Sequence, residues 1–133
     1  MKVTMETDYA LRILYCLAKS QERMDAKSIS EEMCVTLRFA LKILHKLVHC
    51  GMVRSYKGAG GGYELNCTPQ EISLADIVEA IEGKLEISKC LDEEICCNRV
   101  KNKGSCQFQR EFGRINQVLL QEFQQVTLDK FLK

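Results

Sequence analysis

The sequence of 133 residues predicts a mainly α-helical protein with a small β-hairpin, arranged as a winged helix-turn-helix plus a long C-terminal dimerisation helix. Three observations predict this fold. Apolar residues recur at steps of three and four in several segments, a run of glycines separates two short strand-like segments, and a last apolar stripe lies near the C-terminus. A chain of this length is expected to form one compact module with an appended helix.

The first two helices are predicted from periodicity and capping residues. The first is expected to begin at Glu6 or Asp8 and to end at Ser20. Asp25 is the predicted N-cap of a second helix from Ala26 to Met33, because a side-chain oxygen at that position accepts a free amide of the first turn. The inward stripe of the first helix is predicted to be Tyr9, Ala10, Ile13, Leu14, Leu17 and Ala18.

A third helix is predicted to start after Thr36, its N-cap, and to stop before Gly51. Its apolar residues predict a stripe that faces the core, consisting of Leu37, Ala40, Leu41, Leu44, Leu47 and Val48. The other face would carry Arg38, Lys42, His45, Lys46 and His49.

A β-hairpin is predicted directly after this helix. Its strand-like runs are Met52 to Lys57 and Tyr63 to Cys67, joined by Gly58 to Gly62. The glycine run could also be a plain linker or a phosphate-binding loop. No Gly-Lys-Ser/Thr follows it, so the phosphate-loop motif fails.

The segment from Thr36 to Tyr63 contains no Asp or Glu. Its cations are therefore expected to form a positive patch facing an anionic partner. Taken alone, the helix could be an amphipathic core helix with a solvated basic face. Followed by a glycine-tipped hairpin, it is typical of a winged helix-turn-helix that binds double-stranded DNA, with the helix in the major groove and the wing on phosphates.

The DNA-binding residues are predicted from their places in this arrangement. Arg38 and Lys42 are the candidates for contacts with base edges. The residues predicted to lie nearer phosphates are Thr36, His45 and Lys46. The predicted wing contacts are Lys57 and the amides of Gly60, Gly61 and Gly62.

Two further helices are predicted after the wing. Ser73 and Asp76 form a capping box for a helix that ends at Glu82, before Gly83. The segment from 84 to 105 shows no sustained period. The last helix carries an apolar stripe that needs a partner surface, either its own domain or a second copy of the chain: Phe108, Phe112, Ile115, Leu119 and Phe123.

Charge and composition limit the classes of protein that fit. The net charge is +1, but residues 1 to 66 carry +3 and the rest −2, so the basic surface belongs to the N-terminal half. No segment is apolar for the length of a membrane span, and the first eight residues do not resemble a signal peptide, so a cytoplasmic protein is expected. No catalytic constellation can be assembled, so an enzyme is not expected.

Eight cysteines in a chain without a secretory signal favour metal binding or redox chemistry over structural disulfides. Four of them are interpreted as core residues: Cys16, Cys34, Cys50 and Cys67. The other four crowd into one loop: Cys90, Cys96, Cys97 and Cys106. Their residue types allow an iron–sulfur cluster, a zinc ion or a reversible disulfide.

Several segments resemble one known family. They are 7–12 (TDYALR), 51–58 (GMVRSYKG), 60–65 (GGGYEL) and 72–83 (ISLADIVEAIEG). Together with the cysteine loop, they are similar to the Rrf-two family of bacterial winged-helix regulators, which includes IscR-like and NsrR-like iron–sulfur regulators. The resemblance covers nearly the whole chain in order.

The resemblance implies a homodimeric transcription regulator, such as a repressor, whose operator affinity is controlled by an iron–sulfur cluster (2Fe-2S or 4Fe-4S) sensing iron, redox state or nitric oxide. The alternative is a cluster-free or zinc-binding regulator that uses thiol redox or an effector. The implied division is a DNA-binding domain at 1–83, a cluster-binding loop at 84–106 and a dimerisation helix at 107–133.

The resemblance also implies a ligand set. Cys90, Cys96 and Cys106 match the cluster ligands, and Cys97 is an alternative ligand. IscR-like members place a histidine where this chain has Gln109. NsrR-like members supply an aspartate from the other subunit, and Asp8 matches that position.

Overall fold

The structure, a computed structural model, describes residues 3–133 and confirms the predicted fold class. The first two residues of the predicted DNA-binding domain lie outside the described residues. The helices and strands are α1 (Met5–Ser20), α2 (Ala26–Met33), α3 (Leu37–His49), β1 (Val53–Tyr56), β2 (Gly62–Leu65), α4 (Leu74–Glu82) and α5 (Gln107–Gln125). Short 3₁₀ helices lie at Pro69–Glu71, Lys89–Leu91, Lys103–Ser105 and Leu128–Leu132.

The helix starts are fixed by local capping. The Asp25 carboxylate accepts the Ser28 amide at 2.7 Å, and Thr36 Oγ1 accepts the Phe39 amide at 3.3 Å. The capping box of Ser73 and Asp76 forms as predicted. Helix α1 begins slightly earlier than predicted, because Thr4 caps it.

The core lies between α1, α2, α3 and α4. One part of the predicted inward stripe of α3 is wrong, because Leu37 and Leu41 are each 45% exposed while Ile43 is fully buried. The helix is rotated about its axis relative to the prediction. It packs against α1 and α2 through Ala40, Ile43, Leu44 and Leu47.

The wing is an antiparallel hairpin with the register Val53↔Leu65 to Tyr56↔Gly62, so each strand is shorter than predicted. A third segment joins its edge. The Met24 amide donates to the Tyr63 carbonyl at 3.0 Å, and the Tyr63 amide donates to the Met24 carbonyl at 2.8 Å. These two bonds attach the wing to the linker between α1 and α2.

The C-terminal segment returns to the N-terminal core. The sequence predicts a last helix over 107–133, but helix α5 ends at Gln125. The Leu74 amide donates to Val126 at 2.7 Å, the Leu128 amide donates to Ile72 at 2.9 Å, and Leu128 is 1% exposed. The segment after α5 therefore packs beside the start of α4.

Helix α5 contains no buried residue. Leu119 and Phe123 are half-buried. Its exposed apolar side chains form one uncovered surface, here called the α5 apolar face: Phe108 (63%), Phe112 (41%), Ile115 (44%) and Val118 (52%). Of the helices in residues 3–133, none is long and apolar enough to cross a membrane.

The four scattered cysteines do not all lie in the core. Cys16 is 2% exposed, and burial raises its pKa to about 11. Cys67 is half-buried, but Cys34 and Cys50 are exposed, so the core interpretation is wrong for these two. Both occupy helix C-caps, where the chain leaves the packed interior.

Candidate DNA-binding surface and cysteine loop

The outer face of α3 presents most of the predicted DNA-binding residues to solvent. Thr36, Arg38, Lys42 and His45 are exposed, and Lys46 is half-buried. Because α3 contributes no acidic residue, the charged side chains that the helix itself places on this face are all cations. This is the charge pattern of a helix that enters the DNA major groove.

Glu6, on α1, holds two of the predicted cations. Its carboxylate lies 2.7 Å from Lys42 Nζ and 2.9 Å from Lys46 Nζ. These two bonds lower the pKa of Glu6 from 4.5 to about 2. Sequence reasoning missed this residue, because α1 and α3 meet only in the folded chain.

The tip of the wing combines exposed and constrained glycines. Lys57 and Gly60 are exposed, as a phosphate contact requires. The Gly61 amide already donates to the Gly58 carbonyl at 3.0 Å, so it is engaged inside the turn in this conformation. Gly62 has φ +134°, and a Cβ there would lie 2.8 Å from the Met24 carbonyl oxygen.

Arg23 braces the wing from the linker between α1 and α2. Its guanidinium lies 3.3 Å from the centroid of the Tyr56 ring, and Nη1 donates to the Gly60 carbonyl at 3.1 Å. Glu64 lies 3.6 Å from the same guanidinium and accepts the Tyr56 hydroxyl at 2.6 Å. No local sequence pattern indicates this role, since Arg23 and Gly60 are 37 residues apart.

A cavity of about 370 Å³, partly open to solvent, lies in the cysteine loop. Three of its four cysteines line this cavity: Cys90, Cys96 and Cys97. Lys103 lies beside them and donates to the carbonyls of Asp92, at 2.7 Å, and Ile95. The fourth cysteine, Cys106, is the N-cap of α5 and is 8% exposed.

Arg99 connects two of the loop thiols. Its guanidinium Nη2 donates to Cys106 Sγ at 3.0 Å, and its backbone amide donates to Cys97 Sγ at 3.4 Å. The hydrogen bond from the backbone amide of Arg99 is the main cause that lowers the pKa of Cys97. The Gln109 amide and the Arg99 guanidinium lower the pKa of Cys106. Arg99 also lies 4.7 Å from the centroid of Phe108, which fixes it against α5.

The remaining candidate ligand, Asp8, lies on α1 and pairs with Arg12 at 2.8 Å. The structure therefore places it outside the cavity lining of its own chain.

The donor chemistry of the loop suits a soft metal or an iron–sulfur cluster, since thiolates are their preferred ligands. Within residues 3–133, no three Cys, His, Asp or Glu side chains converge closely enough to hold one metal ion. The thiols are therefore close in the loop but not arranged as a finished site.

Comparison with known proteins decides the family. The family model described as "Rrf2: Iron-dependent Transcriptional regulator" matches residues 3–133. The chain belongs to the Rrf2 family. It is an Rrf2-family transcriptional regulator that binds DNA, and it is not an enzyme.

Two curated Rrf2-family relatives are similar in sequence. The transcriptional regulator NsrR of Bacillus subtilis is 33% identical over 94 residues, which are 69% of this chain and 64% of that protein. The matched region therefore spans less than two thirds of that regulator. The transcriptional repressor NsrR of Streptomyces coelicolor is 31% identical over 113 residues, covering 83% of this chain and 74% of that protein.

A solved Rrf2-family structure has the same architecture. It is that of CymR, described as the global cysteine regulator of B. subtilis. Its sequence is 25% identical, the TM-score is 0.77, and the match covers 98% of this chain and 95% of that one.

Proposed function

We propose that this protein is a homodimeric, operator-binding repressor whose DNA affinity is set by an iron–sulfur cluster in the cysteine loop. The observation that carries the proposal is the cavity of about 370 Å³ lined by Cys90, Cys96 and Cys97. The family description and the similarity to the two NsrR proteins support the same function. The cluster, when bound, would supply a centre that reacts with oxygen and nitric oxide.

The loop connects the DNA-binding domain to α5 and is anchored to α5 at two points. It is therefore well placed to influence both of them. Near its start, Asn116 on α5 accepts the Ile87 amide at 2.8 Å and donates to the Leu85 carbonyl at 2.9 Å. At its end, the loop runs directly into α5 at Cys106, the N-cap residue, whose carbonyl accepts the Arg110 amide at 3.1 Å. Binding through Cys90 and Cys106 would thus fix the connection between α4 and α5.

We favour Cys97 over Cys96 as the ligand between Cys90 and Cys106. Arg99 holds Cys97 and Cys106 in one hydrogen-bonded group, whereas Cys96 is exposed. Asp8 of a second subunit remains our candidate for the fourth ligand. It would have to leave its ion pair with Arg12.

Dimerisation is proposed through the α5 apolar face, because its four large apolar side chains are 41–63% exposed in the chain. Two recognition helices that read paired half-sites must lie about 34–36 Å apart. A change at the Cys106 end of α5 would alter the relation between the dimer contact and α3. This is how the state of the loop would change operator affinity.

The test is to purify the protein without oxygen and to measure its visible spectrum with its iron, sulfide and zinc content. We expect a brown protein, bleached in Cys90→Ser and Cys106→Ser. Cys34→Ser is the matched control, because Cys34 is an exposed cysteine outside the loop. We also expect Cys97→Ser to lose more iron than Cys96→Ser.

Operator binding by the cluster-loaded and cluster-free forms should then be compared at the same salt concentration. Equal affinities would refute control by the cluster. A colourless protein that takes up no iron on reconstitution would refute the cluster itself and leave DNA binding intact.

A second candidate is control by thiol oxidation, which the Arg99 contacts favour. Cys97 and Cys106 share this arginine, and both have lowered pKa values. A dialkyl disulfide would oxidise the two thiols of Cys97 and Cys106. It would accept their two electrons and two protons and leave as two alkyl thiols, while Cys97 and Cys106 form a disulfide. Mass spectrometry of the oxidised protein should identify a Cys97–Cys106 disulfide, and Cys97→Ser should remove the effect of oxidation on DNA affinity. Retention of that effect would exclude this pair.

A further inference from the structure

Two large leucines on α3 have no role in the protein core. Leu37 and Leu41 are each 45% exposed, although both lie on the helix that carries Arg38 and Lys42. They are four residues apart and so lie on one side of the helix, one turn above the other. The buried face of α3 consists of other residues: Ala40, Ile43, Leu44 and Leu47.

The surroundings of these leucines indicate the chemistry of their partner. Arg38 and Lys42 are their exposed neighbours in sequence, and α3 contributes no acidic residue. A second copy of α3 docking here would place the same cations against each other at a cost in free energy. A suitable partner is therefore anionic but also presents apolar groups at the depth of the leucine side chains.

The DNA major groove meets both requirements. Its phosphates attract the cations, and thymine is the base that presents an apolar group there, its 5-methyl. The N-terminal half of a recognition helix is the part that contacts base edges. Leu37 is the first residue of α3, and Leu41 lies one turn later.

We infer that Leu37 and Leu41 are specificity-determining residues that contact thymine 5-methyl groups in each operator half-site. This inference rests on the DNA-binding function of the chain. It assigns part of the sequence readout to apolar contacts, in addition to the polar contacts expected from Arg38. Lys42 has less freedom to read bases, because Glu6 holds its ammonium group.

The test uses a DNA duplex that the protein itself selects from a random pool. Each thymine of a half-site is then replaced in turn by deoxyuridine, which lacks only the 5-methyl group. We expect one or two replacements per half-site to weaken binding by roughly fourfold each, the effect of removing one buried methyl or methylene group. Replacement elsewhere should leave affinity unchanged.

The protein variants complete the test. Leu41→Ala should weaken binding to the thymine duplex. It should also bind that duplex and the duplex with deoxyuridine at the contacted position equally well. Leu37→Ala should show the same two effects for a neighbouring thymine. Leu132→Ala is the matched control, because Leu132 is an exposed leucine in the last 3₁₀ helix, outside α3 and outside the α5 apolar face. Circular dichroism and thermal unfolding should be unchanged, because both leucines are exposed.

Three results would overturn the inference. The first is equal binding of every deoxyuridine duplex by the wild-type protein. The second is a change of oligomeric state in Leu41→Ala, which would show that the leucines contact protein. The third is the failure to select any preferred sequence, which would also overturn operator recognition and is thereby distinguishable from the first.

Discussion

Glu6 determines how much positive charge α3 offers to DNA. Its single carboxylate lies 2.7 Å from Lys42 Nζ and 2.9 Å from Lys46 Nζ, so it offsets one of their two positive charges. Surface ion pairs of this kind contribute little to stability, but they restrict where the lysine side chains can go. Glu6 is therefore expected to weaken the general attraction of α3 to phosphates.

We expect Glu6→Gln to strengthen binding to random-sequence DNA, because it releases two cations and removes one negative charge from the surface. The dependence of log affinity on log salt should become steeper by about 0.9 for each lysine that gains a phosphate contact. Titrations of a random duplex at several salt concentrations measure this. Glu122→Gln, with the same charge change on α5, should leave the slope unchanged; an equal change in both variants would contradict the assignment.

The same residue makes a pH-dependent contribution to folding. Its pKa in the folded protein is about 2, below its ordinary value of 4.5, so the folded state favours the charged carboxylate. The contribution is complete above pH 4.5 and is lost as the pH falls towards 2. Urea unfolding of wild type and Glu6→Gln should therefore differ most above pH 4.5 and converge towards pH 2. A difference independent of pH would exclude this ion pair as the cause.

Among the elements, the wing is held in position by contacts from residues outside the hairpin. Met24 adds two backbone hydrogen bonds to its edge, and Arg23 stacks on Tyr56 while binding the Gly60 carbonyl. Such bracing lowers the conformational entropy that DNA binding would otherwise have to remove. The glycines of the wing then have different roles.

We expect Gly62→Ala to lower the free energy of unfolding by about 1–3 kcal/mol and to weaken DNA binding. Its φ is +134°, and the new Cβ would lie 2.8 Å from the Met24 carbonyl oxygen. Gly60→Ala is the control for the unfolding measurement, because a Cβ there meets nothing of the protein within 4 Å. Urea unfolding and operator titration measure both effects; equal stability of the two variants would show that the edge contact with Met24 is unimportant.

At the scale of the whole molecule, α5 carries an apolar face that the described part of the chain leaves largely exposed. The residues of the α5 apolar face are 41–63% exposed, while the segment after α5 folds back onto the start of α4. We propose a second copy of the chain as the partner of this face, because regulators that read paired half-sites bind them as two-fold dimers. The dimer and the DNA-binding geometry are then properties of the same assembly.

Ile115→Glu should convert the protein to a monomer, because it places a charge within the α5 apolar face, where Ile115 is 44% exposed. Operator affinity should fall with it, whereas binding of a single half-site should change little. Gln117→Glu, an exposed position on the same helix, should stay dimeric. Sedimentation velocity distinguishes the two, and a dimeric Ile115→Glu variant would place the interface elsewhere.

The sequence by itself determined the features that depend on neighbouring residues. The starts of α2, α3 and α4 follow from side-chain caps that act over three residues, at Asp25, Thr36 and Ser73. The glycine-tipped hairpin and the four thiols of the cysteine loop were equally readable, because turn chemistry and donor type are properties of the residues themselves.

Only the tertiary structure decided which side chains meet across the chain. Periodicity could not distinguish Leu41 from Ile43 as the buried residue, because both lie at the edges of one apolar stripe and the packing of α1 and α2 selects between them. Glu6 and Lys42 are separated by 36 positions in the sequence, and Arg23 and Gly60 by 37 positions. Such contacts depend on the angles at which helices and hairpin pack, and no local sequence pattern specifies those angles.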